Sequence, residues 1–108
     1  MDDKRLELHE ILCKVINITE SDGDRHVYFD PPMNLKIKYP AIIYSRLKIS
    51  KVYANDKVYN LRRPYNVVIV DKNPDNEYVK KLLELPYSEH DRHYVSDNLH
   101  HDAFTIYY

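Results

Sequence analysis

The residues able to act as metal ligands or proton carriers gather near the C-terminal end of the 108-residue chain: His90, Asp91, Arg92 and His93, then Asp97, His100, His101 and Asp102. Imidazoles and carboxylates at this spacing bind zinc or manganese, or work as general acid and base. On a regular strand, however, His90 and His93 face opposite sides, and the adjacent His100 and His101 diverge as well. A structural zinc centre wants four converging ligands, usually with thiolates among them, and Cys13 is the only cysteine. No metal ligands are therefore expected. Asp97, Asn98 and Asp102 are expected to satisfy main-chain groups of a turn.

Other chemistry is thin. The lone thiol excludes an internal disulfide framework, and on or beside the apolar stripe of a helix it is ordinary packing. The single glycine, Gly23, leaves no room for a Walker loop or a dinucleotide fingerprint, and no serine stands in a nucleophile elbow. Asp71, Asp75, Glu77 and Lys80 loosely suggest a nuclease cluster, but the last three fall at a helix start, where acids suit the dipole. A metal-free ribonuclease-type toxin would use Arg92, His93, Tyr94 and the terminal tyrosines. Such a protein needs a broadly positive surface to hold phosphate, and this end of the chain is acidic, so the toxin stands as the runner-up reading. The expectation is no catalytic residue, no cofactor and no metal, hence no enzyme.

The composition points elsewhere. Eleven tyrosines against two phenylalanines and no tryptophan supply rigid area with a polar tip, which suits contact surfaces. Charge is split along the chain. From Lys36 to Arg63 eight basic residues face Asp56 alone, a formal +7, and the remainder carries −8 although the total is only −1. Such a chain has a field without a net charge, usable by a nucleic acid, an acidic protein or a second copy. The length fits one domain, 1–108, no apolar run reaches the ~20 residues of a bilayer-spanning helix, and Met1-Asp2-Asp3-Lys4 lacks a signal-peptide layout. A soluble, intracellular-type domain is expected.

The elements that must position these residues follow from periodicity. Leu8, Ile11, Leu12 and Val15 predict a helix over Asp2 to Asn17. His26 to Phe29 reads as a short strand stopped by Pro31-Pro32. Tyr39-Pro40 opens a strand to Ile49, which turns at Ala54-Asn55-Asp56 and returns from Val58 to Val70, broken or bulged at Pro64. The outer halves of this hairpin are too polar to bury and are expected to project as an arm. Asn73 as N-cap and Pro74 at the first position open a second helix with Val79, Leu82 and Leu83 inward, halted by Pro86. His93-Tyr94-Val95 and Ala103 to Tyr108 are predicted strands joined by a polar connection. The fold class is α+β: a mainly antiparallel sheet with a long central β-hairpin and two helices packed on one face.

Tyr39-Pro40-Ala41-Ile42-Ile43-Tyr44, the stretch Tyr65 to Asp71 with Asn73-Pro74-Asp75, and the run from Arg92 to Tyr108 around Asp97-Asn98-Leu99-His100-His101-Asp102 resemble small virion proteins of tailed bacteriophages. The resemblance is closest to the tail terminator, or tail completion, proteins of long-tailed phages. It covers 39–108, and the first helix by position. It implies structural work: a ring, commonly a hexamer, that caps the last ring of tail-tube protein, ends tube elongation and docks to the head connector. The place implied is the virion, at the tail and neck, after assembly in the host cytoplasm. DNA would pass through the lumen without specific binding, and no membrane is involved. A head-completion ring nearer the portal is the alternative station. The interface expected on the basic side comprises Tyr44, Lys48, Lys51, Tyr53, Lys57, Tyr59, Arg62 and Arg63. On the other side it comprises Asp97, His100, Asp102 and Tyr108, with the terminal strand free to extend a neighbour's sheet.

Overall fold

The structure, a computed structural model, describes residues 3–47, 53–54, 57–58 and 63–108, with backbone alone for the two short segments. Helix α1 (Asp3–Ile16) buries Leu8, Leu12, Cys13, Val15 and Ile16. Its inward stripe is turned toward Cys13 and Ile16 and leaves Ile11 half-buried. Asn17 ends it at φ 53°, its N–H donating to the Cys13 carbonyl at 2.8 Å. Asparagine tolerates this left-handed cap, which satisfies one orphan carbonyl.

Five strands form one sheet in the order β1-β2-β5-β7-β6. They are β1 (Val27–Phe29), β2 (Ala41–Arg46), β5 (Pro64–Asp71), β6 (Ser88–Ser96) and β7 (Leu99–Tyr107). All pairings are antiparallel except β1 with β2, which is parallel. The apolar run of β5 is the central strand, as its composition predicts. Two short strands, β3 (Tyr53–Ala54) and β4 (Lys57–Val58), pair separately. Ala54 of the predicted Ala54-Asn55-Asp56 turn pairs with Lys57; Asn55 and Asp56, and the arm at 48–52 and 59–62, lie outside the described residues.

One face of the sheet carries the core. Ile42 and Tyr44 of β2, Tyr65, Val67 and Ile69 of β5, and Phe104 and Ile106 of β7 pack with α1 and with Leu82 of helix α2 (Tyr78–Leu83). Both helices therefore lie on one face, the α+β arrangement predicted from the sequence.

Helix α2 begins four residues later than predicted. Asn73 does not cap it: its Oδ1 accepts from the Asp75 N–H at 2.9 Å, and Asp71 Oδ1 accepts from the Asn73 N–H at 3.2 Å. Asn76 Oδ1 instead receives the N–H groups of Tyr78 (3.1 Å) and Val79 (3.3 Å). Successive Asx turns, each bonding main chain two residues on, use up the segment predicted as the first helical turn. Leu83 is consequently exposed, with only Leu82 fully inward.

Candidate functional site

Strands β6 and β7 are each nine residues long, far longer than predicted. Ser96 pairs with Leu99, so the connection is the two residues Asp97 and Asn98, at φ 52° and 62°. Both central residues in the left-handed region is the signature of a two-residue hairpin turn whose twist matches the strands. The polar connection expected over Ser96 to Asp102 is thus only the two turn residues Asp97 and Asn98, whereas Asp102 is the fourth residue of β7 and has another role.

The ladder between β6 and β7 is irregular between His90 and Arg92: His90 pairs with Phe104, Arg92 with Ala103 and His93 with Asp102. This β-bulge inserts one residue into β6 and resets its alternation. His90 and His93, expected on opposite faces, therefore share the helix-bearing face with His100 and Asp102.

Four side chains meet there. Asp102 is 5% exposed, and its Oδ1 accepts from His93 Nδ1 at 2.8 Å and from His90 Nε2 at 3.0 Å. His93 Nε2 in turn meets His100 Nδ1 at 3.2 Å. The His90 ring stands edge-on to Phe104, centroids 5.0 Å apart. This chain of imidazoles on one carboxylate can hold and pass protons. It is not laid out as a metal centre. Both ring nitrogens aim at Oδ1 itself, so a cation about 2 Å along either lone pair would collide with that oxygen. No group of three or more His, Cys, Asp or Glu among the described residues is arranged to hold a metal ion.

The opposite face of the hairpin carries a different set. Tyr94 stacks on His101 with centroids 4.7 Å apart and planes 12° apart, and the Arg92 guanidinium lies 4.9 Å from the Tyr94 ring centroid. Thr105 donates to Asp91 at 2.7 Å. The Arg92, His93 and Tyr94 trio of the ribonuclease reading is thus divided between two faces. The loosely nuclease-like acids line an open hollow of about 310 Å³ with Asn73, Asn76 and Tyr78, and Asp71 is engaged with the Asn73 main chain.

Of the expected interface residues, Lys48, Lys51, Tyr59 and Arg62 lie outside the described residues, and Tyr53 and Lys57 are described only as backbone of the small ladder. Tyr44 does not belong to a surface: it is 1% exposed. Its hydroxyl bonds His9 Nδ1 at 2.7 Å and accepts from Arg5 at 3.3 Å. The alternation of β2 was legible, but which of its two faces meets the helices was not. Arg63 is exposed and its carbonyl accepts the Tyr108 N–H at 2.9 Å. Asp97 is exposed at the turn, while His100 and Asp102 join the cluster. Tyr108 sits at the far end of the sheet, half-buried, its hydroxyl donating to Glu7 at 3.2 Å. Strand β7 is paired on both sides, so the terminal strand has no free edge; the long open edge belongs to β6.

Sequence reading also missed His26. It is buried at φ 63° and ties the segment before β1 to that before β2. Its Nδ1 meets the Pro40 carbonyl at 2.7 Å and its Nε2 meets Glu20 at 2.8 Å. No local signal marks a histidine that bonds across fourteen residues. Among the described residues no helix is long and apolar enough to cross a membrane. No protein-family model, curated protein or solved structure matches this chain.

Proposed function

We propose that this chain is a ring-forming virion protein at the head–tail joint of a long-tailed phage, where it caps the tail tube, ends its growth and docks it to the head connector. The observation that carries the reading is the β6 edge. Nearly every residue of this nine-residue strand is exposed, and a long open edge is a template for pairing with another chain unless it is blunted. The bulge and the charged residues Glu89, Asp91 and Arg92 blunt it against indiscriminate pairing while leaving it available to a matched partner.

Rotational rings need a heterologous interface, in which one face of a subunit meets a different face of the next. The acidic β6–β7 hairpin offers one such face, the stretch from Lys36 to Arg63 carries the opposite charge in the sequence, and opposite potentials favour their meeting over like-to-like contact. The resemblance of 39–108 to tail terminator proteins supports the same reading.

Electron microscopy of tails assembled without this protein tests it. Tubes of uncontrolled length or tails lacking heads are expected; virions of normal form and yield would overturn the proposal.

A further inference from the structure

We infer that His93 and His100, anchored by Asp102, form a one-proton site that makes the β6–β7 edge a pH-sensitive docking surface. The chemistry rests on the hydrogen-bond geometry alone; the consequence for assembly rests on the ring reading.

An ionised carboxylate only accepts, so both ring nitrogens facing Asp102 Oδ1, His93 Nδ1 at 2.8 Å and His90 Nε2 at 3.0 Å, donate. With Nδ1 of His93 fixed as a donor, its Nε2 faces His100 Nδ1 across 3.2 Å, and one of these two must donate while the other accepts. With no added proton, His100 donates to the bare Nε2 of His93. One added proton is accommodated: it sits on His93, which then donates to His100 while facing the carboxylate. A second proton is not accommodated. Two imidazolium rings would set N–H against N–H at the same short separation, and the bond is lost. The ring centroids are only 5.3 Å apart, so like charge is added to the lost bond.

The surrounding charges do not cancel this. Asp91 bonds Thr105 and Arg92 stacks on Tyr94, both on the other face. From β5, Asp71 stands opposite His100 in register, with Oδ1 engaged by the Asn73 N–H at 3.2 Å. Helix α2 brings Lys80 and Lys81, the latter 3.7 Å from Glu77, and Glu84 follows it.

Four of the six histidines lie on this one hairpin, and they set its sign. Four carboxylates (Glu89, Asp91, Asp97 and Asp102) against Arg92 alone give β6–β7 a formal −3 with His90, His93, His100 and His101 neutral. With His93 and His100 holding one proton between them, protonating His90, His101 and that pair takes it to zero. A neighbour's basic stretch is attracted to the first form and not to the second. Contact between copies is therefore favoured at neutral pH and weakened as pH falls through the range in which imidazole titrates, about pH 5 to 8.

The test uses the full-length chain in two arms. Imidazole nitrogen NMR against pH is expected to show His93 as the Nδ1–H tautomer at high pH, and His93 and His100 titrating in separate coupled steps. His100→Gln is expected to merge His93 into a single step. An Nε2–H tautomer of His93, or a His93 curve indifferent to His100→Gln, overturns the shared proton; the tautomer is read on the unaltered protein and needs no variant. In the second arm, sedimentation velocity at the NMR sample concentration is expected to show the association constant falling about tenfold from about pH 7.5 to about pH 5.5. The His93→Gln/His100→Gln variant, which keeps His90 and His101, is expected to show a smaller fall than the unaltered protein. Association of the unaltered protein that ignores pH overturns the switch. A chain that stays monomeric at every pH counts against the ring reading itself, while the first arm still decides the proton site.

Discussion

The same face of one sheet changes character from strand to strand. Across one row of neighbours it reads Ile42, Ile69, Asp102, His93, and across the next Tyr44, Val67, Phe104, His90. The first two columns, and Phe104 in the third, hold side chains from which water is almost completely removed. The last column lies on β6, where Val95 is 59% exposed. Burial of apolar area is the main favourable term in folding, so the helix-covered strands hold the molecule together. The β6–β7 hairpin, tied on by a long ladder to β5, is free to carry polar chemistry. Stability and display are separated by two strands.

That contrast breaks first at Phe104, the last apolar residue of its row before the histidines. Phe104→Ala is expected to cost about 3–5 kcal/mol, cavity and lost transfer together, whereas Val95→Ala on the edge strand should stay within about 0.5 kcal/mol. Urea unfolding of the two variants measures both, and comparable losses would erase the division. Asp102 marks the boundary itself. Asp102→Ala removes an acceptor shared by two imidazoles and is expected to cost about 1–3 kcal/mol in the same measurement, with loss of the His93 tautomer preference.

A smaller effect of opposite sign sharpens the picture of the covered half. The Tyr65 hydroxyl is buried and has no hydrogen-bond partner among the described residues. Removing an unsatisfied buried hydroxyl recovers its desolvation penalty, so Tyr65→Phe is expected to gain about 1 kcal/mol, read as a raised urea midpoint.

The smallest effect concerns His9, on α1. Burial, reinforced by the Arg5 charge, holds its pKa below the ordinary 6.5. The unfolded chain then binds the proton more readily, so the stability at issue is complete above 6.5 and lost as pH falls from there through the lowered value. Thermal melts at about pH 7.5 and about pH 5.5 should differ less in His9→Gln than in the unaltered protein. This also separates acid loosening of the covered half from the charge change proposed for the hairpin.

The covered half was largely legible in the sequence because burial writes itself as periodicity. The apolar stripe of α1 and the run Tyr65 to Val70 can pack in few other ways. The hairpin was not legible, for two physical reasons. A strand exposed on both faces has no apolar alternation, so Ser88 to Ser96 read mostly as connection. A bulge leaves no local signature, so a rule of strict alternation sent His90 and His93 apart when one inserted residue brings them together. The turn signal was available: Asp97-Asn98 are residues that tolerate the left-handed backbone of a two-residue hairpin. The split of charge was legible as numbers, but not as a place, until the acidic part appeared as an open sheet edge.

The ring account is tested most directly by a reconstruction of the assembled head–tail joint. It predicts this chain as a closed ring at the end of the tail tube, with the β6 edge of each subunit buried against the basic stretch of the next. A joint from which the chain is missing, or in which it stands as a single copy with β6 facing solvent, would contradict it.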